Sequence, residues 1–166
     1  MVASSCYIES PVGVLRITAS GRGISSISFC EGEVTSPAGF PGPVANGFLD
    51  LCSRQLGEYL RGSRLEFDVP LDVRGTIFQV GVWRLLREIP AGETISYKQL
   101  ASRLGKPGAA RAVGGAANRN PVAIVVPCHR VVGSGGALVG YAAGTWRKQW
   151  LLDHERGMTA RAAVSC

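Results

Sequence analysis

"SYKQLASRLGKPGAARAVGGAANRN", residues 96–120, decides how the second half of this chain folds. Ser96 caps a short helical pattern in which Tyr97, Leu100, Ala101 and Leu104 share one face. Gly105 ends that pattern, Lys106–Pro107–Gly108 reads as a turn, and a second helix is expected from about Ala109 to Asn118. Two short helices joined by a tight glycine-containing turn form the helix-turn-helix pattern, which any helical hairpin can also produce. The second helix carries almost no bulk: Ala109, Ala110, Ala112, Val113, Gly114, Gly115, Ala116 and Ala117 make up most of it. Each glycine costs about 1 kcal/mol in a helix interior, so the pair needs a reason. Close packing against another helix is one. Close approach to a nucleic acid is the other, with Arg111 as the one long side chain near the helix start.

The charge pattern favours nucleic acid. The 166-residue chain has a net charge of +6, unevenly spread. Residues 1–75 hold six Lys/Arg and eight Asp/Glu, a net of −2; residues 76–166 hold twelve and four, a net of +8. Between Thr94 and Leu152 there is no acid, while Lys98, Arg103, Lys106, Arg111, Arg119, Arg130, Arg147 and Lys148 all fall there. Such a stretch is expected to face phosphates, although a basic run also serves as a solvated face.

Hydrophobic content of 46% with 18% charged residues excludes a disordered chain. No apolar run reaches membrane-spanning length, and no basic region precedes an apolar stretch at the N-terminus. A soluble, intracellular, cytoplasmic protein is expected, or a nuclear one in a eukaryotic host. Cys6, Cys30, Cys52, Cys128 and Cys166 are odd in number and form no CxxC pair, so free thiols are expected. His129 and His154 are the only histidines, leaving few ligands for a metal. No cofactor is expected.

Upstream, "CYIE", "VLRITAS" and "ISSISF" read as short strands separated by turn signals, followed by a Gly/Pro-rich loop. "FLDLCSRQLGEYLRG" places Leu49, Cys52, Leu56 and Tyr59 on one helical face and closes at Gly62. Cys52 is therefore expected in a core. "VPLDVRG" reads as the hinge between the acidic and basic halves. Thr76 then caps a helix with Phe78, Val82, Leu85 and Ile89 on one stripe, stopped by Pro90. Downstream, "PVAIVV" reads as a buried strand, "GSGGALVGYAAGT" as a hairpin or mobile loop, and "WRKQWLLDHE" as a helix capped by Thr145. The tail "RGMTARAAVSC" is expected to fray.

The candidate chemistry sits in "IVVPCHRVVG", residues 124–133. A cysteine attacks as thiolate, and a free cysteine has a pKa of about 8.5. A neighbouring imidazole or guanidinium lowers that value, so Cys128 is expected to titrate below a free thiol. An imidazole works best when a carboxylate fixes its tautomer. Asp153 and Glu155 both lie on the last helix, where either is a candidate partner for His129. The bland alternative is a core cysteine at a strand end.

"PCHRVVG", preceded by Asn120–Pro121 and followed by "GYAAG" and "WLLDHE", closely resembles the O6-alkylguanine-DNA alkyltransferase family, the methylated-DNA–protein-cysteine methyltransferases. "FQVGVWRLLREIPAGETISYKQLASRLGKPGAARAVGGA" resembles the same family's helix-turn-helix region. The likeness runs from about Thr76 to Glu155. It is weaker in the N-terminal half, through "ESPVG", "LRI" and "FDVPLDVRGT".

The resemblance implies an α/β (α+β) chain in two parts. Residues 1–75 would form an RNase H-like α/β domain, and residues 76–166 a winged-helix-like domain that binds DNA and accepts the alkyl group. It implies a single irreversible transfer from O6-alkylguanine, and from O4-alkylthymine, in double-stranded DNA. Cys128 matches the nucleophile, His129 the base acting through a bridging water, and Glu155 the acid orienting it. Asn120 matches a residue supporting the turn, and Tyr97 a phenol that hydrogen-bonds the guanine ring and protonates it on leaving. Val131, Tyr141 and Ala142 match the pocket wall. Arg111 matches a finger that fills the gap left by the flipped guanine. Ala109, Ala110, Ala112 and Gly114 match the smooth helix face entering the minor groove, with Arg119 and Arg130 in the basic surface toward phosphates. Many relatives carry serine at Ala142, so a hydroxyl contact there is lost. Some relatives bind zinc through N-terminal Cys and His, but no histidine lies in this N-terminal half, and no metal is expected. A monomer is expected.

Two other classes remain. A winged-helix DNA-binding regulator would keep the Arg111 helix without needing Cys128, His129 and Glu155. A cysteine hydrolase would use the same dyad on an acyl substrate without needing an acid-free basic half.

Overall fold

The computed structural model describes residues 3–32 and 47–164, which divide between Arg74 and Gly75 into two compact units. Cys166 and most of the Gly/Pro-rich stretch lie outside the described residues. Among those described, no helix is long and apolar enough to cross a membrane.

In the first unit, β1 (Ser4–Ile8), β2 (Leu15–Ala19) and β3 (Ile24–Phe29) form an antiparallel meander in that order. Leu15, Ile17 and Ala19 alternate inward along β2, and Arg16 points out, as a half-buried strand requires. Helix α1 (Gly47–Leu60) packs on the sheet and buries Leu49, Cys52, Leu56 and Tyr59, the stripe expected from the sequence. It closes where Gly62, at φ 83°, lets its own N–H reach Tyr59 O and the Ser63 N–H reach Glu58 O.

The second unit is mostly helical. Helix α2 (Ile77–Arg87) opens with a reciprocal cap: the Gln79 N–H donates to the Thr76 hydroxyl, and the Thr76 N–H donates to the Gln79 side chain. Its buried residues are Val82, Trp83 and Leu86, with Ile89 just beyond; Phe78 and Leu85 are only half-buried. The stripe is rotated from the expected one because Trp83 is drawn inward. Its indole N–H donates to Ala116 O at 2.9 Å, giving a buried ring its required partner.

Strand β4 (Ile95–Ser96) leads directly into α3 (Tyr97–Arg103), capped by Ser96 and Gln99 in the same reciprocal way. Gly105, at φ 77°, reverses the chain while Lys106 N–H donates to Ala101 O. Helix α4 (Ala110–Asn118) follows, packing against both α2 and α3 through Val113, Ala116 and Ala117.

Residues 121–126 correct the expected strand. They form compact turns, with Ile124 at φ 71° and the Val126 N–H donating to Val122 O at 3.0 Å. An apolar run shows burial but not its backbone form. Here the Asn120 side chain decides the form: its Oδ1 accepts from the Val122 N–H and its Nδ2 donates to Val126 O, occupying groups a strand ladder would use.

A single 3-10 turn, Cys128–Arg130, follows, and then β5 (Val131–Val132), parallel to β4. Residues 133–144 form an irregular loop with one 3-10 turn rather than a hairpin. Helix α5 runs from Thr145, its first residue rather than its cap, to Val164. The expected fraying is therefore corrected. Met158 is buried, and Arg156, Ala160, Arg161, Ala162 and Ala163 are strong helix formers.

Candidate active site and nucleic-acid surface

Cys128 begins the 3-10 turn and is half-buried. The Asn120 amide that holds the preceding turn also donates to Cys128 Sγ at 3.2 Å. One asparagine thus fixes both the backbone leading to the thiol and the thiol itself.

His129 and Glu155 are fully buried, and His129 Nε2 lies 2.7 Å from Glu155 Oε1. Of the two acids considered for His129, Glu155 is the partner; Asp153 is exposed and pairs with Arg156. Burial pushes the Glu155 carboxyl up, but His129 and Arg130 outweigh it and hold the group well below the usual carboxylate range. Burial pushes the His129 imidazole down, and the pull of Glu155 does not restore it, with Arg130 and Lys148 also opposing the charge. Burial thus favours the neutral imidazole beside the Glu155 carboxylate. Its carboxylate partner assigns the proton to Nε2 and leaves Nδ1 as a base. Nδ1 is buried and has no partner in the protein.

Arg130 corrects an expectation. Placed among DNA-binding residues on charge, it is only 6% exposed. Its Nε donates to Glu155 Oε2 at 2.9 Å, its Nη2 to Glu155 Oε1 at 2.8 Å, and its Nη1 to Ile89 O. A guanidinium so engaged has no free face for a phosphate. It serves to keep Glu155 ionised.

The thiol also differs from expectation. Burial pushes Cys128 above the ordinary cysteine value, and Asn120 and Lys148 oppose this without reversing it. Burial disfavours a charge on His129, and Arg130 is committed to Glu155, so neither neighbour offsets the burial of the thiol.

The pocket-wall residues fall into two groups. Val131 is buried in β5, whereas Tyr141 and Ala142 lie on the glycine-rich loop. The Tyr97 hydroxyl donates to Val139 O at 3.0 Å, tying that loop to α3. Burial pushes the Tyr97 phenol up and the Tyr141 phenol well up, and the Tyr141 hydroxyl is buried without a partner in the protein. Ala142 is exposed. Lys148, among the basic residues expected to face phosphates, is instead fully buried and donates to Val139 O at 2.9 Å. The signal was present, because Lys148, Leu151, Leu152 and Glu155 recur at helical spacing on the face that α5 buries.

On α4, Arg111 and Ala112 are exposed, Ala109, Ala110 and Gly114 are half-buried, and Arg119 is exposed just past the helix end. The two glycines now separate. A Cβ on Gly114 would make ordinary 3.6 Å contact with the Tyr97 ring, and one on Gly115 would meet nothing within 4 Å. Neither is demanded by packing inside the protein.

Among the described residues, no three of His, Cys, Asp and Glu converge to hold a metal.

The sequence profile described as "6-O-methylguanine DNA methyltransferase, DNA binding domain" matches residues 77–157, and the profile of the same family's "ribonuclease-like domain" matches residues 5–73. A methylated-DNA–protein-cysteine methyltransferase of Mycolicibacterium paratuberculosis is 44% identical over 157 residues, covering 90% of each chain. The crystal structure of Mycobacterium tuberculosis O6-methylguanine methyltransferase superposes with a TM-score of 0.82 at 43% identity, covering 95% of this chain and 94% of that one. A structure of Mycobacterium tuberculosis OGT in complex with DNA gives the same TM-score at 44% identity over 93% of each chain. Matched in both halves and along nearly its whole length, the chain belongs to the methylated-DNA–protein-cysteine methyltransferases.

Proposed function

We propose that this protein repairs DNA by moving the alkyl group of O6-alkylguanine irreversibly onto Sγ of its own Cys128. The observation that carries this assignment is the buried His129–Glu155 pair directly after Cys128, with His129 Nδ1 left without a protein partner. His129 takes the thiol proton at Nδ1 through a bridging water, and Glu155 stabilises the imidazolium that forms. Sγ then attacks the alkyl carbon, the carbon–O6 bond breaks, and the departing guanine takes a proton as its carbonyl reforms. As the base binds, the Tyr97 hydroxyl turns from Val139 O to the guanine ring and supplies that proton, while Tyr141, Val131 and the backbone at Ala142 enclose the base.

Residues 76–166 bind the DNA. Helix α4 lies in the minor groove, where Ala109, Ala110, Ala112 and Gly114 allow close approach, and Arg111 fills the place of the extruded base. Extrusion is required because the O6 atom is stacked inside the duplex. Arg119 and the other exposed cations bind phosphates without reading sequence, which suits a lesion found anywhere. One chain carries all these groups, so the protein acts as a monomer. Its need for a free thiol and for DNA points to the cytoplasm of a prokaryote or the nucleus of a eukaryote.

The test is the intact mass after incubation with O6-methylguanine DNA. A gain of one methyl group, mapped to Cys128 and absent in Cys128→Ala, is expected. No gain, or a methyl group mapped elsewhere, overturns the assignment. A regulator or a hydrolase would show no gain.

A further inference from the structure

Two large apolar side chains left open to solvent bracket the residues proposed to enclose the base. Val139 is 48% exposed and Trp146 55%, and Tyr141 and Ala142 lie between them in the chain. The connection is tight. The Gly144 N–H donates to Tyr141 O at 3.0 Å, and a Cβ on Gly144 would sit 3.3 Å from Trp146 Cδ1. The indole therefore lies on the backbone that ends the glycine-rich loop, one turn from Tyr141.

Trp146 differs from the other two tryptophans. Trp83 is buried and donates to Ala116 O, and Trp150 stacks on His154 with ring centres 4.6 Å apart. Trp146 is met instead by a cation. The buried Arg147 guanidinium lies 4.8 Å from its ring centre, while Arg147 Nη1 donates to Ala143 O at 2.9 Å. Covering that guanidinium needs only bulk, which an aliphatic side chain supplies. It does not account for an indole that keeps more than half its surface in water. An aromatic ring backed by an arginine is the arrangement on which unpaired bases stack. No acid lies between Thr94 and Leu152, so the phosphates of a strand laid on this loop meet no like charge from it.

We propose that Trp146 is a nucleobase platform at the rim of the site, stacking on the base next to the lesion when the DNA is single-stranded. In a duplex that neighbour is paired and stacked, and Arg111 takes the place of the extruded base, so no free ring is offered. In a single strand the neighbour is unpaired, and it follows the base seated against Tyr141 by one nucleotide. Trp146 thus gives unpaired DNA a contact that a helix shaped for the minor groove does not supply. Stacking accepts any base, which suits a lesion found in any sequence. The proposal rests on alkyl transfer from DNA to Cys128.

The experiment measures transfer from O6-methylguanine in single-stranded and duplex oligonucleotides of one sequence, and from free O6-benzylguanine. It compares W146A, W146L and W146F with wild type. In W146A and W146L the single-strand concentration giving half the limiting rate is expected to rise about tenfold, with the limiting rate little changed. W146F is expected to stay near wild type on the single strand, and the duplex and the free base to discriminate little among the four proteins. Equal losses on all three substrates, or W146L matching W146F on the single strand, would make Trp146 a cover for Arg147 and overturn the proposal.

A wild-type measurement covers variants that do not fold. Single-stranded DNA carrying 5-iodouracil beside O6-methylguanine is irradiated with the protein, and the cross-link is mapped by peptide mass. A cross-link at Trp146 is expected, and one confined to other residues overturns the proposal. Wild-type protein that accepts an alkyl group from duplex DNA but not from a single strand overturns it too. Wild-type protein that accepts none from any of the three substrates would instead defeat the transfer reading itself.

Discussion

Arg130 grips both oxygens of Glu155, with Nε on Oε2 at 2.9 Å and Nη2 on Oε1 at 2.8 Å, while the same Oε1 meets His129. Two adjacent residues of the chain thus converge on one buried carboxylate. The pairing makes Glu155 a poor proton acceptor and a firm anchor for the imidazole beside it.

Removing one partner of this pair leaves an uncompensated buried charge. Arg130→Met or Glu155→Gln is expected to cost about 3–5 kcal/mol of stability, read from urea unfolding. The salt dependence of DNA binding by Arg130→Met is expected to match wild type, because this guanidinium meets no phosphate. A shallower salt slope would return Arg130 to the DNA surface.

Acid is expected to weaken the fold in two stages. His129 is held below its ordinary value, so the unfolded chain binds that proton first, and stability falls as the pH drops through about 6.5. Glu155 is held low as well. Its contribution is complete above about pH 4.3 and is lost as the pH falls further. Urea unfolding across a pH series reads both stages, and Glu155→Gln is expected to remove the lower one. Stability that rises as pH falls below about 6.5 would contradict a buried neutral His129.

The two-helix block was legible because its signals are local. Ser96 with Gln99, Thr76 with Gln79, and Gly105 act within a few residues of themselves, and the structure uses them as capping chemistry requires. The Cys128–His129 pair and the choice of acids on α5 were legible for the same reason. What stayed hidden depends on contacts distant in sequence or on side-chain competition for backbone groups. Asn120 turned an apparent strand into turns, Trp83 rotated the α2 stripe toward Ala116, and Glu155 drew Arg130 out of the basic surface. A count of charges cannot tell a phosphate-binding arginine from a buried one.

Gly115 tests why α4 is smooth. A Cβ there meets nothing within 4 Å, so Gly115→Ala is expected to stabilise the protein by about 1 kcal/mol, as in any exposed helix interior. Gly115→Leu is expected to fold normally and to lose affinity for duplex DNA, measured by fluorescence anisotropy. Full affinity in the leucine variant would remove this face from the groove.

Arg111 is exposed in the first turn of the same helix. Arg111→Ala is expected to slow repair of duplex DNA far more than reaction with free O6-benzylguanine, since a free base needs no extrusion. Equal losses on both substrates would mean that the side chain supports the fold instead.

Transfer is expected to stop after one event per molecule. An acyl group on sulfur is a thioester, whose carbonyl water can attack, and cysteine hydrolases turn over by that route. A methyl group on Cys128 is a thioether, with no electrophilic carbonyl for a water activated by His129. The sequence holds no CxxC pair, metal motif or nucleotide-binding loop that would supply another route to remove it. Repaired lesions plotted against protein concentration should therefore rise with a slope of about one at long times and excess DNA, the stoichiometry of a covalent step that is never reversed. A slope clearly above that would show turnover and require a path for releasing the alkyl group that the thioether itself does not offer.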